Sequence, residues 1–326
     1  MKISIVIPIY NVSQYIADCL NSVFAQTCAE PMECLLVDDC GTDDSMRIVD
    51  ELLANYHGPI SFRILHHEHN RGLSAARNTG MEAATGDYVY FLDSDDYVPA
   101  DCIEQLVRPL RQGGVIDVVV GDYQQVGDEQ PTKRALSERT IVQPFVLHAY
   151  NQWQWYTMAW NKLYRLDYIR SEQLLFKEGM IHEDELWTFQ VACTARAVYV
   201  TTAVTYVYRL RGNSIVTGTS LQKKMSALTT VLQEMWAFAC HRGVVRDTDV
   251  YEKFQSMCIN NLKLLRGDRE QFAQQYRRQR QIVRYGWSDV FRMKGFTIYR
   301  LLRDIHCLMP ISMADRWLYF VLTNCK

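Results

Sequence analysis

The stretch FLDSDDYV, residues 91–98, sets Asp93, Asp95 and Asp96 within four positions of one another, directly after an apolar run. Carboxylates this close repel one another and raise each other's proton affinity unless a cation offsets the charge. A divalent metal is the obvious cation. Magnesium takes one or two protein carboxylates and completes its octahedron with water and phosphate oxygens, so an Asp-x-Asp at the mouth of a crevice suits a nucleoside diphosphate. The triplet has a second reading, because Asp and Ser also populate turns and helix caps, and for an isolated DSD that use is the commoner one. Further on, HEDELWTFQVAC (182–193) reads as a helix entered by acids, which the helix dipole alone would favour.

The elements that must carry these side chains follow from periodicity. Short β-branched runs alternate with amphipathic segments over the first hundred residues. ISIVIPI (3–9) precedes Ile16, Leu20, Val23 and Phe24 at helical spacing, with Ser13 as the expected cap. CLLVDD (34–39) precedes a stripe of Val49, Leu52, Leu53 and Tyr56; SFRIL (61–65) precedes SAARNTGMEAA (74–84); YVYFLD (88–93) ends the series. Such alternation predicts an α/β fold whose mainly parallel sheet is covered on both faces. Tyr10/Asn11, Asp38/Asp39, Asn70/Arg71 and Asp93/Asp95/Asp96 then each lie just past a strand's carboxyl end, where open parallel sheets bind ligands. GGVIDVVVGDYQQV (113–126) reads as one more strand, and beyond about residue 220 only helical periods remain.

Charge is uneven along the chain. Net charge is −2, yet residues 1–100 hold 15 acids against 5 Lys and Arg, whereas residues 263–303 hold 11 Lys and Arg against 3 acids. The acidic beginning suits a metal cation; the basic stretch, interleaved with Tyr, Phe and Trp, suits either an anionic membrane surface or plain solvated helix faces. Nucleic acid is not expected as a partner. Ten cysteines without a CxxC pair, many among apolar neighbours such as Cys19, Cys193 and Cys240, predict reduced, buried thiols in a cytoplasmic protein. The opening MKISIVIPIYN reads as a strand, because Pro8 and Asn11 interrupt it and no small-residue cleavage site follows. Residues 140–161 lack charge but carry too many amides for a membrane span.

SIVIPIYN, LLVDDCGTDDS, NRGLSAARNTG and GDYVYFLDSDD stand in the order and spacing of family 2 glycosyltransferases, inverting enzymes of the GT-A fold, and the chain resembles that family over roughly residues 3–216. WNKLYR (160–165), HEDELW (182–187) and YRLRGNSI (208–215) look like its acceptor-side segments. The resemblance implies a sugar transferred from a nucleotide-diphosphate donor, UDP-linked above all, to a hydroxyl of a glycan or lipid-linked glycan in cell-surface polysaccharide assembly, with Mg²⁺ or Mn²⁺ as cofactor. It implies that Pro8 and Tyr10 border the base and Asp39 hydrogen-bonds it, that Arg77 and Asn78 lie near the diphosphate, that Asp93 meets the ribose or the metal's water shell beside Ser94, and that Asp95 ligates the metal. Asp184 would be the base that deprotonates the acceptor, with Glu183 and Glu185 raising its proton affinity by repulsion. Arg209 and Arg211, followed by Ser214, would close over the diphosphate as a lid, or else be solvated loop arginines. The chain departs from the family at Asp38-Asp39-Cys40-Gly41, where the family has glycine directly after the acidic pair.

His182 is expected to be structural or to contact the acceptor, since no second histidine lies at ligand spacing. Trp160 is expected in the core, while Trp153 and Trp155 fit either a core or a sugar platform. The expected division is a GT-A domain over 1–219, with a nucleotide-binding half (1–100) and an acceptor half (101–219), then a helical region over 220–326. A non-catalytic module binding nucleotide sugar or glycan on the same fold is the alternative, against which the presence of both Asp95 and Asp184 argues. A dinucleotide oxidoreductase would need G-x-G-x-x-G after the first strand, where the chain reads YNVSQY, and the P-loop motif is absent as well.

Overall fold

Strand β1 (Ile3–Ile9) is buried at every position, as a strand covered on both faces must be. In the computed structural model it pairs in parallel with β2 (Met32–Asp38) on one side and β4 (Tyr88–Phe91) on the other, and β3 (Ser61–His66) extends the sheet beyond β2. The order across the whole sheet is β3-β2-β1-β4-β7-β5-β8-β6, with β5 at Val118–Val126, β6 at Arg139–Val142, β7 at Lys162–Arg165 and β8 at Ala197–Arg209. Strand β7 is antiparallel to both β4 and β5, β5 is parallel to β8, and β6 is antiparallel to β8. Because β7 lies between them and is antiparallel to both, β4 and β5 run the same way. All strands except β6 and β7 end on one edge, which makes the sheet mainly parallel and delivers the strand-end residues to a single crevice. The description covers residues 1–127, 133–210, 220–292 and 302–324.

Alternation along the strands sorts the helices. Ile3, Ile5, Ile7 and Ile9 of β1 join Tyr88 and Tyr90 of β4 and Leu163 of β7 in one core, with Ile16, Leu20 and Val23 of α1 (Ile16–Phe24), Val49 of α2 (Ser45–Ala54) and Leu106 of α4 (Cys102–Val107). The other face carries α3 (Leu73–Ala83), which comes so near β1 that a Cβ on Gly80 would stand 2.3 Å from a methyl of Val6. On that face Phe91, Tyr164, Phe176 and Trp187 pack edge to face and stacked, Phe176 and Trp187 with centroids 4.1 Å apart. Trp187 belongs to α7 (Glu183–Thr194), which α5 (Val146–Asn151) packs against; α6 (Leu166–Ser171) follows β7.

Ser13 does not cap α1. That helix starts at Ile16 after a turn, and the Ser13 N–H donates to Asp43 at 2.8 Å. Trp155 and Trp160 are buried, whereas Trp153 is 60% exposed.

Clustering separates two compact units, Met1–Gly218 and Thr219–Lys326. The second is helical: α8 (Leu221–His241), α9 (Thr248–Lys263), α10 (Arg269–Ile282), α11 (Trp287–Arg292) and α12 (Ile311–Asn324). Ser220, Asp247 and Asp268 cap α8, α9 and α10 with their own side chains, each accepting from the first-turn N–H groups that a helix leaves unbonded. Met225, Leu262, Leu265, Phe272, Tyr276, Ala314 and Leu318 form its core. No helix among the described residues is long and apolar enough to cross a membrane. The nine described cysteines are free and six are buried, but Cys240, expected in the core, is exposed beside the buried Ala239 of α8.

Candidate active site

The carboxyl edge of the parallel strands is where the predicted donor residues collect. Tyr10, directly after β1, is 47% exposed, whereas Pro8 is buried within the strand opposite Val37. Asn11 has a positive φ of 52°, and its side-chain oxygen accepts the Thr42 N–H at 2.8 Å. Cys40 stands at φ +59°, the left-handed region that glycine occupies at least cost. The glycine that follows is needed for another reason: a Cβ on Gly41 would come within 3.2 Å of Asn11.

Asp39 is 2% exposed and fully engaged within the protein. One oxygen accepts the Arg71 N–H at 2.8 Å and meets His67 Nδ1 at 2.6 Å; the other accepts the Gly72 N–H at 2.8 Å. Its own N–H donates to the carbonyl of Ile9. Asp39 thus ties together the segments that leave β1, β2 and β3.

Asp93, Asp95 and Asp96 each offer an oxygen, all within 4.8 Å of one another. This all-oxygen donor set at a crevice edge fits a hard divalent cation such as Mg²⁺ or Mn²⁺. The three are not equivalent. Asp95 is half-buried, and Ser94 beside it is buried. Asp96 is buried, accepts the Tyr206 hydroxyl at 2.8 Å and the Arg209 N–H at 2.7 Å, and so fastens the loop to β8. Burial, then the charges of Asp95 and Asp93, push its carboxyl up to about 8. A cation beside the cluster relieves that repulsion.

Arg77 is 2% exposed and reaches two ways: one nitrogen donates to Asp93 at 2.8 Å, the other to Glu183 at 2.8 Å. Burial opposes its charge, but Asp93 and Glu183 outweigh burial and hold the guanidinium above its ordinary range. The Phe176 ring lies 5.3 Å from it. Asn78, expected near the diphosphate, instead spends both ends of its amide on the backbone of Phe176, at 2.8 and 2.9 Å. It fixes the segment that leads into α7.

That segment ends at His182, whose φ of +64° turns the chain into α7. Glu183, Asp184 and Glu185 form the first turn of the helix. Burial is the largest cause lifting the Asp184 carboxyl to about 7; repulsion from Glu183 and Glu185, the cause expected from sequence, comes second, and Arg77 opposes both. A carboxylate poised near neutrality is suited to accepting a proton. The fold thereby brings Asp93 and Glu183, the neighbour of Asp184, to the same buried cation.

Arg209 lies at the other side of the DSDD loop. Its guanidinium bonds Asp18 at 3.0 Å with the rings of Tyr15 and Tyr97 each 5.2 Å away, bordering a cavity of about 440 Å³ lined also by Asn21, Val126 and Gly127. Arg211 and Ser214 lie outside the described residues. Sequence reasoning passed over Asp96 as an anchor, Glu183 as a partner of Arg77, and Lys162, a 1% exposed lysine whose ammonium burial draws down to about 7. The only signal for the last was its place in WNKLYR.

Comparison with known proteins places the chain in a family. The family described as Glycosyl transferase family 2 matches residues 4–173. Glycosyltransferase GlyA of Streptococcus pneumoniae is 31% identical over 283 residues, covering 80% of this chain, which spans only 38% of GlyA's length. The glycosyltransferase EpsJ of Bacillus subtilis is 31% identical over 279 residues, 81% of this chain and 76% of its own. Among solved structures, residues 1–349 of Staphylococcus aureus TarS, a poly(ribitol-phosphate) β-N-acetylglucosaminyltransferase crystallised with UDP, superpose with a TM-score of 0.67 at 18% identity, over 99% of this chain and 90% of that one. At that identity the likeness speaks for the fold.

Proposed function

This chain belongs to glycosyl transferase family 2, and from that premise we propose that it is a metal-dependent inverting glycosyltransferase. It moves a sugar from a nucleotide-diphosphate donor, a UDP-sugar, to a hydroxyl of a glycan or lipid-linked glycan during assembly of a cell-surface polysaccharide. The observation that carries the reading is Arg77, which joins Asp93 of the DSDD loop to Glu183, next to Asp184. The UDP complex of TarS supports the donor class, and its poly(ribitol-phosphate) substrate supports a polymeric acceptor.

Residues 1–100 form the nucleotide half. Tyr10 offers a ring to the base beside Pro8, Asp39 holds the loops beneath it, and the Ser94 and Arg209 segments bound the diphosphate. Asp95, with Asp93 beside it, would hold a divalent cation that neutralises the diphosphate as it leaves. Residues 101–219 form the acceptor half. Asp184 takes the proton of the acceptor hydroxyl while that oxygen forms its bond to the anomeric carbon, and the carbon–oxygen bond to the diphosphate breaks on the opposite face, its electron pair departing with the nucleoside diphosphate. Arg77 and Asn78 hold the acid cluster and the Phe176 segment in register. The basic helical region over 220–326 makes peripheral contact with anionic lipid at the cytoplasmic face of the membrane.

A nucleotide-release screen of UDP-, GDP- and dTDP-sugars, with and without Mg²⁺ and Mn²⁺, tests the reading. Metal-dependent release from a UDP-sugar is expected. UDP binding with no release or transfer from any donor would leave a non-catalytic nucleotide-sugar module instead.

A further inference from the structure

The buried charges around the start of α7 do not pair off completely. Arg77 serves Asp93 and Glu183, and Glu185 receives the Tyr150 hydroxyl at 3.3 Å. Asp184 remains, one oxygen accepting the N–H of Glu185 at 3.0 Å. Among the described residues, Lys162 is a second cation buried on this face of the sheet, at the first position of β7, on the opposite side of the strand from Leu163 and its core. The Lys162 ammonium donates to the carbonyl of Met158, and the carbonyl next to it, that of Thr157, receives the hydroxyl of Thr188. Asp184 and Thr188 are four residues apart on α7 and share one side of the helix. Two bonds to consecutive carbonyls thus hold the lysine and the aspartate in one neighbourhood under the helix start.

We propose that Lys162 is a positioning residue for the transfer reaction: its buried ammonium is the counter-charge that keeps the Asp184 carboxylate ionised and ready to receive the acceptor's proton. The role rests on Asp184 being the base, but the pairing of the two charges does not. An unpaired ammonium in the interior is costly, so a lysine retained there needs an anion to answer it. Burial is the largest cause lowering Lys162, and the charge of Asp184 is the first to oppose it, while Arg77 is the cation that most lowers Asp184. The remaining groups around this pair are Arg77 on α3, Tyr164 on β7, and Glu183 and Glu185 at the helix start, with Tyr150 on α5 bonded to Glu185.

The pairing is tested without substrate. Aspartate carboxyls and lysine ε-carbons are labelled with ¹³C in the full chain, and the spectra of Asp184→Asn and Lys162→Met assign the two resonances. Lys162→Met keeps the length and removes the charge, and it should raise the Asp184 midpoint by at least about one pH unit, tenfold in its ionisation constant. Reciprocity requires Asp184→Asn to lower the Lys162 midpoint by the same amount. That variant is isosteric, so the coupling is still read if Lys162→Met fails to fold. Lys162→Arg should bring the Asp184 midpoint back toward wild type. Midpoints that move by less than about 0.3 unit would overturn the pairing. A coupled pair in a protein whose Asp184→Asn variant transfers at full rate would overturn the positioning role through the base assignment, so the two failures are told apart.

Discussion

The two halves of the sheet-bearing unit build their share of the site differently. Over residues 1–100 the polar side chains arrive on the strands themselves: Tyr10 follows Ile9, Asp39 follows Asp38, and Asp93 stands two residues past Phe91. Over residues 101–210 the proposed base comes from a helix start, where its two flanking glutamates are held by side chains on α3 and α5. In the first half, topology alone carries the polar residues to the working edge. In the second, packing must assemble a buried charge cluster, so electrostatics rather than chain direction decides what the residues can do.

If that contrast is right, the largest effect belongs to the second half. Asp184→Asn should cut transfer by about 10²–10⁴-fold while UDP affinity, measured calorimetrically with Mn²⁺, stays near wild type. Full activity in this variant would dissolve the contrast. Because the carboxyl must be ionised to act and burial lifts it to about 7, the wild-type rate should rise with pH through about 7. Stability should move the other way: between the unfolded carboxyl's range near pH 4 and pH 7 the folded state keeps a proton that the unfolded chain releases, so stability falls as pH rises, and Asp184→Asn should flatten that slope.

Arg77→Met cuts the join between the halves. Leaving Asp93 and Glu183 without their shared cation should cost about 3 kcal/mol in urea unfolding, and a loss under about 1 kcal/mol would mean that the halves stand independently. Asp39→Ala acts within the first half. Its first effect is on stability, lowered by about 1–3 kcal/mol because Arg71, Gly72 and His67 lose their acceptor, with UDP weakened through the loosened loops. Unchanged UDP affinity would separate those loops from the base site. The smallest effect is a gain: Cys40→Gly should relieve the positive φ and stabilise the fold by about 1 kcal/mol, read as a raised melting temperature.

The same contrast explains what could be read from the chain. The strands, their shared edge and the DSDD cluster were legible because alternation and helical spacing are local signals. Asp96 as an anchor was not, since its partners Tyr206 and Arg209 stand 110 and 113 positions away. Glu183 bonds Arg77 across 106 positions, and Asn78 reaches Phe176 across 98. Nothing near Lys162 in sequence announces burial, because a lysine between Asn161 and Leu163 reads as the exposed side of a short strand. Ser13 had the right residue type for a cap, but a turn follows it and the helix begins three residues on, at Ile16, out of reach of its hydroxyl as a cap.

Arg77 carries one more consequence, for the order of events in a catalytic cycle. A single guanidinium divides its attraction between Asp93, on the donor side, and Glu183, on the acceptor side. A cation bound beside Asp93 would weaken the guanidinium's hold there and leave more of it for Glu183, so occupancy of one side would change the affinity of the other, equally in both directions. Two substrates linked this way influence each other whichever arrives first. The donor-loaded protein should bind the acceptor with an affinity different from that of the free protein, and the acceptor should change donor affinity by the same factor.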